Sequence, residues 1–197
     1  NTAAYNLVTK AELQPKDAMA VNCDAVASMA RICNDRAIKF VTFSTDYVFD
    51  GQKAAPYEEG DTPNPLQIYG RSKLEGELAT LKNYPKGSLI IRTNGVYGGE
   101  DGSPGKGNFV LNILKEAYDK EIIEVSCEQI VSPTYAGDLS IATLKLLQKN
   151  APPGIYHLVN EGFCSWYDFA KEIFRLAGIN KKLVPVDRGG LSGSMKR

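Results

Sequence analysis

Ser44-Thr-Asp-Tyr-Val-Phe-Asp-Gly51, followed by Tyr69-Gly-Arg-Ser-Lys73, is the stretch that decides the fold of this 197-residue chain. Just ahead of it, Ile38-Lys-Phe-Val-Thr-Phe43 reads as a buried strand. Strands that are apolar throughout, rather than alternating, belong to parallel sheets covered on both faces. Open α/β sheets build their sites outside the carboxyl ends of such strands. Ser44, Thr45, Asp46 and Tyr47 occupy that place here.

Working outward, Pro15 suits a helix first turn, and a helix is expected to run to about Asp35. Its apolar residues, among them Ala18, Val21, Val26, Ala30 and Ile32, cover more than one narrow stripe, so it is expected to pack on a sheet and be well buried. Further helices are predicted over 66–81, 108–119 and 135–148, and strands over 88–92, 122–125 and 155–158. Ser165 with Asp168 resembles a capping box that opens a last helix, and Gly178 is placed to close it. Strands alternating with helices point to an α/β fold with a parallel sheet. The later half has shorter strands and more loop, the composition of a smaller and less regular lobe.

Lys plus Arg and Asp plus Glu each number 23, so the chain has no net charge to hold nucleic acid. Hydrophobic residues make up 43%, which excludes a disordered tail protein. No apolar run reaches the ~18 residues of a membrane span. Cys23, Cys33, Cys127 and Cys164 form no Cys-x-x-Cys pair and are expected as buried reduced thiols in a cytoplasmic protein. The chain opens at Asn1 without a Met or a signal peptide, and both ends read as cuts through a longer protein.

Tyr69 and Lys73 are four residues apart and therefore neighbours on one helix face. An ammonium beside a phenol favours the phenolate and lets it exchange a proton near neutral pH. Thr45 could hydrogen-bond the same substrate oxygen, so the three could polarise a carbonyl while a hydride arrives from a nicotinamide. Spacing alone is a weak signal, because Tyr167 and Lys171 share it. That second pair has no Ser/Thr strand end before it and reads as packing and solvated surface. His157, the single histidine, reads as a satisfied core residue, and Glu58, Glu59 and Asp61 as a solvated acidic loop. Trp166 reads as an anchor of the later lobe.

These motifs resemble the extended short-chain dehydrogenase/reductase family. Four further stretches agree: Ala3 to Glu12, Arg92-Thr-Asn-Gly-Val-Tyr97, Gln129 to Leu139, and Gly154 to Val159 with Ser165-Trp-Tyr-Asp-Phe-Ala170. The resemblance is closest to the branch that reduces the C4 ketone of a dTDP-linked 6-deoxyhexulose with NADPH or NADH, giving dTDP-L-rhamnose. It implies an incomplete Rossmann-like sheet over 1–98 and a mainly substrate-binding lobe over 99–197, with 130–150 packing back on the core. It implies that Tyr69 protonates the C4 oxygen, that Lys73 lowers the tyrosine pKa and holds the nicotinamide ribose, and that Thr45 and Asp46 contact the substrate. Ala4, Tyr5 and Asn6 would line the cofactor, and Asn22 would support the active-site water network. A dTDP-sugar is the implied partner, with neither nucleic acid nor membrane, and a homodimer is compatible with it. Magnesium enters through the resemblance alone, since its acidic positions do not map onto this sequence, and no metal ligands are assigned.

Two departures stand out. The Gly-rich dinucleotide loop and the residue that selects NAD or NADP are missing, because the chain begins about where the family's fourth strand ends. Gly102-Ser-Pro-Gly-Lys-Gly107 replaces neither that loop nor a Walker motif and reads as flexible loop. Gly95, a substrate-binding position by resemblance, stands where many members carry a tryptophan that packs on the sugar. That departure keeps open another sugar-nucleotide epimerase, reductase or dehydratase. A non-catalytic relative, such as the regulatory subunit of methionine adenosyltransferase, is disfavoured by the intact Thr45, Tyr69 and Lys73.

Overall fold

The computed structural model describes residues 1–99 and 107–187. In chain order it has α1 (Val8–Ala11), α2 (Pro15–Met19), a π-helical turn (Ala20–Asp24), α3 (Ala25–Asp35), β1 (Phe40–Thr45) and a 3-10 turn (Asp46–Val48). Then come α4 (Ile68–Asn83), β2 (Ser88–Thr93), β3 (Val96–Tyr97), α5 (Phe109–Asp119), β4 (Ile122–Ser126), β5 (Ile130–Val131) and β6 (Thr134–Tyr135). The order ends with α6 (Ala136–Gln148), β7 (Gly154–His157), β8 (Cys164–Ser165), α7 (Trp166–Ala177) and β9 (Lys182–Val186). All but Gly107 of the 102–107 loop lies outside the described residues.

The described residues form two compact units. The first comprises 1–93 and 146–158, and the second the described parts of 94–145 and 159–187.

A parallel sheet in the order β1-β2-β7 forms the first unit, with Phe40 opposite Ser88, Thr45 opposite Thr93 and Arg92 opposite His157. The central strand β2 is buried on both faces, as its unbroken Leu89-Ile90-Ile91 run predicts. The first strand departs from expectation. It starts at Phe40, leaves Ile38 half exposed, and alternates buried and half-buried residues from Phe40 to Ser44, with β2 as its one partner strand among the described residues. Along its other edge the Asn1 backbone nitrogen donates to the Val41 carbonyl at 2.7 Å.

The helix of 15–35 also corrects its prediction. Ala18, Asn22, Val26 and Ala30 are buried, a single stripe at i, i+4 spacing, while Val21 and Ile32 face solvent. One stripe suffices because the helix packs along α4 as well as on β1, and a helix–helix seam is narrow. The two helices meet closely: a Cβ added at Gly76 of α4 would lie 2.1 Å from the Asn22 carbonyl oxygen.

In the second unit α5 and α7 cover β4 and β9, which pair in parallel, and Ile113, Ile123, Val125, Ile173 and Phe174 form the core. Trp166 packs at a tilt against Phe109 and Phe169, the anchoring role expected of it. Asn108 caps α5, Ser165 caps α7, and Gly178 closes α7 in the left-handed conformation at φ 65°. All four cysteines are free, but each is half-buried rather than buried. Among the described residues no helix is long and apolar enough to cross a membrane.

Candidate active site

The site grows from the carboxyl end of β1. There the Thr45 side chain turns back and accepts the Tyr47 N–H at 3.2 Å, capping the 3-10 turn. Its hydroxyl donates to Asp46 Oδ1 at 3.1 Å. This bond holds the hydroxyl in place at a residue that is only 6% exposed. The Tyr47 ring then meets the Tyr69 ring edge-on, with centroids 5.4 Å apart. Such contact needs α4 to approach the end of β1 very closely, and Gly70 permits it: a Cβ there would sit 2.1 Å from the Tyr47 carbonyl oxygen.

The amino end of α4 is fastened from outside itself. Glu12 Oε1 accepts the Ile68 N–H at 2.8 Å and so supplies the cap that Gln67 does not. Next to Tyr69, the Ser72 hydroxyl donates to the Tyr69 carbonyl at 2.8 Å and accepts from Asn22 Nδ2 at 2.9 Å. Asn22 uses the rest of its amide on one residue. Its Oδ1 accepts from Tyr5 N at 2.9 Å and its Nδ2 donates to Tyr5 O at 3.0 Å. One buried asparagine therefore ties the segment around Tyr5 to the helix of Tyr69. It sits in the π-helical turn, an irregularity common at functional sites.

Lys73 is buried, and its Nζ donates to the Phe43 carbonyl of β1 at 2.7 Å. Burial pushes its pKa down to about 8, against a smaller upward pull from Glu77 one turn further along. The group therefore carries its charge at neutral pH and gives it up in mild alkali. One of its three N–H donors goes to Phe43, a donor set suited to the paired hydroxyls of a ribose.

Thr45, Asp46, Tyr69, Lys73, Asn22 and Tyr5 thus come together in the first unit, with Ala4 and Asn6 flanking Tyr5. Gly95 belongs to the second unit, where it adopts φ 55° and its carbonyl accepts the Thr134 N–H at 3.2 Å. A Cβ there would lie 2.6 Å from Val131 Cγ2, so the backbone accounts for the glycine. Three further residues contribute without having been assigned by sequence: the Phe43 carbonyl, Ser72, and the Tyr47 ring. Ser72 was visible within Tyr-Gly-Arg-Ser-Lys, but nothing in the spacing named its partner.

Glu58 and Glu59 are exposed, as expected of a solvated acidic loop, and the cluster also has partners: Glu59 Oε1 accepts the His157 N–H at 2.9 Å, and Asp61 pairs with Lys53 at 2.6 Å. One other reading changes. His157 is half-buried rather than core, with Nδ1 3.1 Å from the Tyr57 carbonyl. The second Tyr/Lys pair behaves as expected. Lys171 is exposed, pairs with Asp168 and lies over the Tyr167 ring. Among the described residues no three His, Cys, Asp or Glu side chains gather as a metal site.

The family model described as RmlD substrate binding domain matches residues 1–197. The chain is 40% identical over 188 residues to the dTDP-4-dehydrorhamnose reductase of Aggregatibacter actinomycetemcomitans, covering 93% of this chain and 62% of the relative. A crystal structure of a dTDP-4-dehydrorhamnose reductase from Clostridium acetobutylicum superposes with a TM-score of 0.91 at 36% identity, over 99% of this chain and 67% of that one. A second, from Bacillus anthracis in complex with NADP, gives 0.87 at 36% identity, over 94% and 64%. The chain spans less than two thirds of the length of the curated relatives it matches first.

Proposed function

Because the chain belongs to the RmlD substrate binding domain family, we propose that its first unit carries the proton-transfer machinery of an NAD(P)H-dependent reductase acting on the C4 ketone of a dTDP-linked 6-deoxyhexulose. The observation that carries this reading is the buried Lys73 ammonium, fixed on the Phe43 carbonyl one helical turn from Tyr69. The bound nicotinamide supplies the hydride. Tyr69 gives its phenolic proton to the carbonyl oxygen as negative charge develops there. Lys73 stabilises the phenolate left behind by its charge. Thr45 turns its hydroxyl from Asp46 to the ketone oxygen, an exchange of one acceptor for another, and keeps its cap on Tyr47. Asn22 holds the Tyr5 backbone and Ser72 together, which fixes the cofactor-side segment against the helix of the acid.

The test uses the full-length protein with dTDP-4-keto-6-deoxyhexulose and NADPH, following loss of the nicotinamide absorbance. Tyr69→Phe removes the proton donor and keeps the ring against Tyr47, so kcat is expected to fall by about 10²-fold or more with little change in folding. Undiminished turnover in that variant would sink the assignment.

A further inference from the structure

Lys73 is not the only buried charge on its helix. Glu77 lies one turn further along α4, 3% exposed, on the face that Lys73 occupies. Two opposite charges so placed on a buried helix face would ordinarily pair, and the lysine would then be drawn off toward the carboxylate. They do not pair among the described residues. Arg92 of β2 takes both oxygens of Glu77 instead, Nε on Oε1 at 2.9 Å and Nη2 on Oε2 at 2.6 Å. This is the fork geometry that guanidinium alone provides.

Arg92 is itself held from several sides. Its guanidinium lies over the Phe49 ring at 5.0 Å, and its Nη1 is 3.5 Å from Nε2 of His157 on β7. His157 is fixed by the Tyr57 carbonyl and by Glu59. The charged and titratable groups around Glu77 are thus Lys73 on its own helix, Arg92 on β2 and, behind Arg92, His157 on β7 with Glu59 of the 49–61 loop.

We propose that Arg92 is a positioning residue for Lys73: by occupying both carboxylate oxygens of Glu77, it keeps that carboxylate from pairing with the lysine and leaves the ammonium on the Phe43 carbonyl, one helical turn from Tyr69. The proposal rests on the reading of Tyr69 and Lys73 as the acid and its partner for its functional meaning. Its physical content, a control of the Lys73 charge through Glu77, stands apart from any turnover.

The experiment therefore reads the lysine directly. In full-length protein, the Lys73 side-chain NMR signal, assigned by its loss in Lys73→Arg, is titrated in the wild type, Arg92→Met, Glu77→Gln and the double variant. Arg92→Met frees the Glu77 carboxylate and is expected to raise the Lys73 midpoint by about one pH unit or more. Glu77→Gln removes the negative charge and is expected to lower it. The double variant is expected to match Glu77→Gln, since Arg92 acts only through Glu77. An unmoved midpoint in Arg92→Met overturns the proposal. So does a double variant that differs from Glu77→Gln by as much as Arg92→Met differs from wild type. Breaking one half of a buried pair can unfold a protein, whereas replacing both halves is often tolerated. If Arg92→Met does not fold, Arg92→Lys takes its place, since it keeps a positive charge but cannot hold both Glu77 oxygens: a raised Lys73 midpoint supports the proposal, and an unmoved one overturns it. Failure of the reductase assay in wild type would remove the functional meaning and leave this titration intact.

Discussion

At the scale of single residues, the site depends on where side chains are absent as much as on where they are present. Gly70 and Gly76 are both helical, and each would cost less as alanine in an isolated helix, by about 1 kcal/mol. Here the sign reverses, since each would drive a Cβ to 2.1 Å from a backbone oxygen, Tyr47 O and Asn22 O respectively. Gly76→Ala is expected to destabilise by about 1–3 kcal/mol. A thermal melt of the full-length variant checks this, and a midpoint equal to or above wild type would refute the close-packing account. Tyr69, Lys73 and Thr45 were legible in sequence because strand end, loop and helix start follow one another in the chain. The close approach that makes those glycines necessary was not legible, because it is a property of two elements at once.

At the scale of elements, local rules predicted starts and stops well and burial less well. The last helix was read from Ser165, Asp168 and Gly178, and the structure bears this out. Ser165 Oγ accepts the Asp168 N–H at 3.0 Å and donates to its carboxylate at 2.6 Å. Ser165→Ala is expected to lose about 1 kcal/mol of stability, seen as a lower unfolding midpoint, because one orphan N–H at the helix start loses its acceptor. A midpoint within error of wild type would show that the cap adds nothing. By contrast, α2 to α3 offered many apolar residues, of which only one stripe is buried. No local composition signals the π-helical turn within it, because a change of hydrogen-bond register leaves no mark in residue type. Nothing local marks β9 as a strand either: Lys182-Leu-Val-Pro-Val186 contains a proline and gains its identity from β4, which lies some way back in the chain.

At the scale of the whole molecule, the first unit is closed by contacts between residues far apart in sequence. His157 reaches Tyr57 and Glu59 from far along the chain, while Asp50 organises its own loop by gathering Tyr57, Asn64 and the Gln52 backbone. Both groups set how the unit responds to acid. Burial holds the His157 pKa below its ordinary 6.5, so the unfolded chain takes up that proton first and stability falls as pH drops below 6.5. The Tyr57 hydroxyl and the other donors hold Asp50 down from 3.8 to about 2, so its contribution survives to lower pH and is lost between those values. Thermal midpoints measured down the pH scale should therefore decline in two stages. His157→Gln is expected to blunt the upper stage and Asp50→Asn the lower one, and a midpoint flat from neutrality to roughly pH 5 would contradict the His157 account. By itself the sequence determined the α/β class and the main helices and strands, and it singled out Thr45, Tyr69 and Lys73 as candidates: apolar runs, caps and the Tyr69/Lys73 spacing are written in residues close along the chain, and short-range periodicity and sterics act before the chain folds. Only the tertiary structure decided what those groups touch. Lys73 on the Phe43 carbonyl, Arg92 on Glu77, Asn22 between Tyr5 and Ser72, and the backbone demand for Gly95 arise where strands and helices close on one another, and buried polar groups take whichever partner that closure brings within hydrogen-bonding distance.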